Sequence, residues 1–165
     1  MGWGDRVEPE SLGTAWKWQH VPKTGRLVFR VLTEGWLWYD AHYIRPGYVR
    51  CVKGNCPWCE RGSRPQKRMI IGGRALGRRG RWGLELPEGA GLLVQEIWDL
   101  RGGIRGVTLT IRKEGQYGKG ETRIDEESPG SERDPEWVDG KELVSWVEKQ
   151  DFWKGWQSPD ESEKT

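Results

Sequence analysis

All three cysteines of the chain, Cys51, Cys56 and Cys59, fall within nine residues, and one of its two histidines, His42, stands nine positions upstream. This H-x8-C-x4-C-x2-C pattern constrains the fold more than any other feature. Structural zinc takes four tetrahedral ligands, preferably thiolate and imidazole; a C-x2-C knuckle presents two sulfurs from one turn while a remote pair closes the site. Pro57 and Trp58 occupy the knuckle, Gly54-Asn55 precede it and Gly62 follows it. An odd cysteine count in a chain with no sign of secretion argues against a disulfide framework. The expectation is therefore one structural zinc ion held by His42, Cys51, Cys56 and Cys59, with no open coordination position. His20 in place of His42 remains an alternative. A redox dithiol at Cys56-Pro57-Trp58-Cys59 is another, although Arg50-Cys51-Val52-Lys53-Gly54-Asn55 ahead of it is no apolar strand and Cys51 is left without a role. A zinc deaminase needs a Glu two residues after the His, where this chain has Ile44.

The rest of the chain must build a domain around that cluster. Its 165 residues suit one domain plus an appendage. No apolar stretch approaches the ~20 residues of a membrane span, and Met1-Gly2-Trp3-Gly4-Asp5-Arg6 carries no signal-peptide pattern. The expected setting is cytoplasmic, or the host cytoplasm for a viral chain, with no membrane partner. Twelve Trp beside 24 Gly describe a folded, loop-rich domain, since disordered chains are poor in aromatics.

Arg26–Thr33 and Trp36–Ile44 have strand composition and flank Glu34-Gly35, which predicts a hairpin. Residues 68–73 and 81–86 supply one long or two short strands. Ala90, Leu93, Val94, Ile97 and Leu100 recur at helical spacing between Pro87 and Gly102-Gly103. Val107–Arg112 and Thr122–Asp125 predict a second hairpin, and Asp139-Gly140-Lys141-Glu142 opens a further helix with Leu143, Trp146 and Val147 on one face. Three strand regions, a helix and two more strands is the element order of an OB-fold, a five-stranded Greek-key barrel with its helix between the third and fourth strands.

Charge is unevenly spread. Residues 1–120 carry 21 Lys/Arg against 11 Asp/Glu, whereas residues 121–165 carry 6 against 14. Between Tyr43 and Gly83 Glu60 is the single acid, among Arg45, Arg50, Lys53, Arg61, Arg64, Lys67, Arg68, Arg74, Arg78, Arg79 and Arg81. Arginine-rich density with Tyr43, Tyr48, Trp58 and Trp82 interleaved fits a polyanion with exposed bases: phosphates follow a positive groove and bases lie on flat side chains. Trp36 and Trp38 project to one side of their strand, as stacking platforms or as core. The second hairpin adds Arg112, Lys113, Tyr117, Lys119 and Arg123 as a far wall.

From Trp38 to Arg64, with His42-Tyr43, Cys51, Asn55-Cys56-Pro57-Trp58-Cys59-Glu60 and Arg64-Pro65, the chain resembles the zinc-carrying insertion of phage-type, OB-fold single-stranded-DNA-binding (helix-destabilising) proteins. Glu85-Leu86-Pro87, the helix after it, Gly106–Gly115 and Gly120–Ile124 are similar to the closing strands of that group. The resemblance covers roughly residues 25–125. It implies a mainly β, zinc-stabilised OB-fold that coats and protects single-stranded DNA in replication, recombination or transposition, with no catalysis, and an acidic end that recruits replication or recombination proteins. With composition dividing the rest, the expected organisation is an extension over 1–24, the OB-fold over 25–125 with its insertion near 42–65, an acidic linker over 126–135, a helical segment over 136–157 and an acidic tail over 158–165.

Three other classes compete. A duplex-DNA or RNA regulator would read sequence through the zinc loop, but no recognition helix follows the knuckle. A two-metal nuclease needs clustered carboxylates, and Asp40, Glu60, Glu85, Glu88, Glu96 and Asp99 are scattered singly. An adaptor would dock through the carboxyl-terminal helix and its Trp153 and Trp156.

Overall fold

A computed structural model describes residues 16–44, 47–113, 122–128 and 138–154, with side chains omitted for 125–128. The elements are β1 (Trp16–Gln19), β2 (Arg26–Ile44), β3 (Gly47–Arg50), α1 (Pro57–Glu60), β4 (Gln66–Ala75), β5 (Arg81–Pro87), α2 (Glu88–Arg101), β6 (Thr108–Lys113), β7 (Thr122–Ser128), α3 (Gly140–Glu148) and α4 (Asp151–Lys154). The fold is mainly β, in a mixed sheet ordered β1-β5-β4-β2-β6-β7, with β3 paired to β2. Every pairing is antiparallel except β1 with β5. Among the described residues β1 and β7 do not pair, so the sheet is open rather than a closed barrel.

The first hairpin expected from Glu34-Gly35 is instead one 19-residue strand with a register shift between Val31 and Trp36. Thr33 explains why the chain bulges and continues. Its buried hydroxyl donates to the Gly35 carbonyl at 3.1 Å and accepts from the Gly72 N–H at 3.2 Å, so it occupies the place of a ladder partner on β4. The shift also changes which residues face which way. Leu27, Phe29 and Val31 enter the main core before it; Trp36 and Trp38 pack on that core after it, while Tyr39 and Ala41 point to the other face.

Two apolar clusters result. The larger packs α2 through Ala90, Val94 and Ile97 onto Met69, Ile71, Leu84, Leu86, Leu109 and Ile111. The buried stripe of α2 thus differs from the expected one: Leu93 and Leu100 are exposed at 42% and 78%. Gly102 ends the helix in the left-handed conformation, its N–H donating to the Trp98 carbonyl. On the opposite face, Leu143 and Val147 of α3 cover Tyr39, Ala41 and Ile70. Asp139 caps α3 by accepting from the Lys141 N–H at 2.9 Å, as the sequence predicts. Around this second cluster Trp16 and Trp18 lie against Trp146, with ring centroids 5.7 and 4.4 Å away. A Cβ at Gly83 would come within 2.6 Å of the Trp146 ring, so glycine makes room for the indole.

The second hairpin forms as expected between β6 and β7, and residues 76–80 divide the third strand region into β4 and β5. Two findings depart from the expected organisation. Residues 16–19, inside the amino-terminal extension, form a strand along the edge of β5, and β7 runs through Ser128, into the stretch taken for linker. Residues 129–137 and the tail over 158–165 lie outside the described residues. No described helix is long and apolar enough to cross a membrane.

Candidate metal centre and adjoining groove

The β2–β3 hairpin sets up the metal cluster. His42 stands opposite Val49, and the ladder carries on past β3 through the Cys51 N–H to the Asp40 carbonyl at 2.7 Å. The chain then reverses at Lys53 and Gly54, both left-handed with φ of 54° and 58°. Lys53 makes this conformation without glycine and pairs with Asp40 at 3.3 Å. Cys56 leads into the single turn of α1, with Pro57 in its first position, and Gly62 and Ser63 close the turn onto the Cys59 and Trp58 carbonyls.

The ligand atoms of His42, Cys51, Cys56 and Cys59 all lie within 4.8 Å of one another. His42 Nε2 is 3.4 Å from both the Cys56 and Cys59 sulfurs, and the Cys51 and Cys59 sulfurs are 3.5 Å apart. A tetrahedral zinc ion with bonds of about 2.3 Å to sulfur and about 2.0 Å to nitrogen puts its donors roughly 3.5–3.8 Å apart, so the cluster is of the right size. The thiols are free, and Cys59 alone is exposed. His42 is fully buried, and its Nδ1 lies 2.9 Å from Ser63 Oγ; a ring that ligates through Nε2 donates Nδ1–H to that hydroxyl, the second contact a metal-bound imidazole needs.

The electrostatics point the same way. Burial holds the His42 imidazole below its ordinary range, which favours the neutral ring. Burial works to raise the Cys56 thiol, yet hydrogen bonds from the N–H groups of Cys59, Trp58 and Val52 and from Cys51 outweigh it and hold the thiol below its ordinary value. The hydrogen bond with Cys51, then burial and the Cys56 side chain, push the Cys59 thiol up to about 12. Three thiolates this close repel one another, and a divalent cation between them removes the conflict. The four residues could hold a metal ion such as zinc. His20 is exposed and lies outside the cluster.

Beside the hairpin runs a groove of about 1330 Å³ lined from both ends of the open sheet. Trp18, His20 and Lys23 come from β1 and the loop after it, Lys113, Thr122, Arg123 and Ile124 from β6 and β7, and Gly89 and Leu93 from α2. Tyr43 and Tyr48 stand opposite one another on the metal hairpin, with ring centroids 5.1 Å apart, and Tyr43 is 52% exposed. Glu85, the one acid among the described lining residues, accepts from the Tyr39 hydroxyl at 2.7 Å and pairs with Arg68, whose guanidinium lies 3.9 Å from the Tyr48 ring centre. Burial, then the Glu85 charge and hydrogen bond, push the Tyr39 hydroxyl well above its ordinary range, so it stays a proton donor to that carboxylate. The floor is thus internally neutralised, and among the described lining residues Lys23, Lys113 and Arg123 add positive charge along the walls.

Of the binding residues the sequence singles out, Tyr43, Tyr48, Arg68, Lys113 and Arg123 meet in this groove. Arg68 there serves Glu85 and Tyr48. Trp36 and Trp38 are not open platforms: Trp36 meets Trp98 edge to face at 5.9 Å, and a Cβ at Gly91 would fall 2.5 Å from the Trp38 ring. Trp58 is half-buried with Arg61 over it, on the metal turn. Arg64 and Lys67 are exposed near the start of β4. Arg78 and Arg79 sit in the turn before β5, Arg78 over Trp82, and Arg81 pairs with Glu142 of α3. Arg74 and Arg112 lie on the outer face of the sheet. Tyr117 and Lys119 lie outside the described residues. Sequence reasoning missed Trp18, Lys23 and Phe152 as groove residues, because nothing local marks segments that far apart as neighbours. No protein-family model, curated protein or solved structure matches the chain.

Proposed function

We propose that the chain binds single-stranded DNA with little sequence preference, protecting it in replication, recombination or transposition, and that one structural zinc ion holds the hairpin that forms part of the site. The observation that carries this reading is the groove, where Lys23, Lys113 and Arg123 line the same cleft as the Tyr43–Tyr48 pair. Cations along a cleft track phosphates, and exposed rings at its side receive unstacked bases without reading their edges. On this reading β2, β4, β5, β6 and β7 are the five strands of an OB-like barrel with α2 between the third and fourth. Its seam is open, since β1 takes the edge of β5 that the fifth strand would close. No catalytic step is assigned to the chain. His42, Cys51, Cys56 and Cys59 would hold the ion, whose chemistry here is cross-linking, and Ser63 would fix the imidazole.

Two competing readings lose support. A nucleophilic redox cysteine is exposed with a depressed pKa; here exposed Cys59 is raised and it is buried Cys56 that is lowered. An adaptor docking through Trp153 needs that ring available, and it packs against Tyr39 at 5.7 Å and under Arg50 at 4.5 Å, whereas Trp156 lies outside the described residues. The test is a titration of the zinc-loaded protein with a mixed-sequence single strand and the matching duplex at rising salt, followed by tryptophan fluorescence and by anisotropy of labelled DNA. Preference for the single strand with a steep salt slope is expected. Equal affinity for duplex, or no binding to either, overturns the proposal.

A further inference from the structure

Arginines line up across the outer face of the sheet. Arg26 on β2 stands directly opposite Arg112 on β6, and Arg112 directly opposite Arg123 on β7. Four residues further along β2, on the same face by strand alternation, Arg30 stands opposite Arg74 of β4. The two rows are roughly 13 Å apart along the strand. Three arginine pairings thus fall in two rows on one face of the sheet. The C-terminal helices cover a different part of this face, the one holding Tyr39, Ala41 and Ile70. Around the arginines the surface stays accessible: Arg26 and Arg123 are exposed, and Val28, Arg30, Arg74, Thr110 and Arg112 are half-buried. Arg26 and Arg30 carry no binding signal in the sequence, because only the sheet register sets them beside Arg112 and Arg74.

Arg123 belongs to both surfaces. It lines the groove and begins the cross-strand row. We infer that the outer face is a second, phosphate-directed tract, onto which a single strand leaving the groove continues around the β7 edge, over Arg112 and Arg26 toward Arg30 and Arg74. The inference rests on the single-strand reading of the groove. Arginine is suited to this tract, since its planar fork grips phosphate oxygens in pairs. The tract has no aromatic platform in its two rows, so it contributes counterion release and no base stacking. It lengthens the stretch of strand the protein occupies and leaves base preference unchanged.

The experiment uses the full zinc-loaded chain and a length series of oligothymidylates. Wild-type affinity is expected to keep rising with length after the groove is filled. In the R26Q/R30Q/R74Q variant that later rise disappears, the occluded length shortens, and the salt slope on long oligomers falls by about 2, from ~0.7 per neutralised phosphate on a single strand. Short oligomers bind the variant as they bind the wild type, which also reports an intact fold, and R26K/R30K/R74K restores the slope. A variant that binds long oligomers with wild-type affinity and slope overturns the tract and leaves the groove reading standing. Equal losses on short and long oligomers also overturn it, because the arginines then act through the groove. A wild-type protein that binds no oligothymidylate of any length overturns the groove reading, and the tract with it.

Discussion

The metal cluster draws its four ligands from one short stretch, His42 to Cys59, folded on itself by a hairpin and a single helical turn. The groove beside it draws on β1, the β2–β3 hairpin, β4, β5, α2, the β6–β7 hairpin and α4, from Trp18 to Phe152. One site is local and closed; the other exists only when the whole sheet is assembled. They meet at β2 and β3, where His42, facing the metal, is followed by Tyr43, facing the groove. Losing the metal should therefore damage the groove, while damage to the groove should leave the metal in place. That asymmetry is open to test from both sides.

The largest effect is expected from Cys56→Ser combined with Cys59→Ser. Removing two of four ligands should abolish stoichiometric zinc and uncouple the hairpin from α1. If the loss is about 3 kcal/mol, the melting temperature falls by about 6–12 °C for a chain of this size. Affinity for a single strand should fall with it, because Tyr43 and Tyr48 lose their support. Metal analysis, a thermal scan and one DNA titration decide the matter; full zinc loading at unchanged stability removes the site.

Tyr43→Ala with Tyr48→Ala approaches the shared hairpin from the other side. Stacking of a base on an aromatic ring is worth about 1–3 kcal/mol, so losing this platform should weaken single-strand binding by about 5- to 150-fold. Zinc content should not change. An equal fall in bound zinc would mean that the two sites are one structural unit rather than neighbours with one-way dependence.

How far each site can be read from the chain follows from the same contrast. The ligand set is legible because zinc demands a fixed number of soft donors and the knuckle spacing is local. The groove is legible only as a tendency: the run of Arg and Lys says that a polyanion site is plausible chemistry, but not which of them share a surface. Arg68 and Arg81 read as phosphate ligands in sequence and turn out to hold Glu85 and Glu142. Trp36 and Trp38 alternate as stacking residues would, yet that same alternation puts both under α2. Glu34-Gly35 has the composition of a turn, and the Thr33 hydroxyl, bonded to β4 some forty residues away, makes it a bulge. The α3 start is legible because a cap is a local device, whereas β1 is not, because a four-residue edge strand has too little pattern to show.

Ser63→Ala gives a smaller, more selective effect. Outer partners of metal-bound histidines typically contribute about 10- to 100-fold in metal affinity. The variant should therefore lose zinc to a competing chelator at correspondingly lower chelator concentration, while its DNA affinity at saturating zinc stays that of the wild type. Loss of DNA binding at full metal occupancy would instead give Ser63 a place in the groove.

The finest test separates phosphate contacts from stacking within the groove. Lys113 stands opposite Thr122 at the end of the β6–β7 ladder, and it lines the groove together with Lys23 and Tyr43. Lys113→Gln should lower the slope of log affinity against log salt by about 0.7, the share of one phosphate on a single strand, with a modest fall in affinity that vanishes as salt rises. The Tyr43→Ala and Tyr48→Ala pair should do the reverse, cutting affinity at every salt concentration and leaving the slope alone. The two signatures differ because counterion release depends on bulk salt and stacking does not. If Lys113→Gln shifts the whole salt curve down without changing its slope, then Lys113 holds the hairpin wall in place and touches no phosphate.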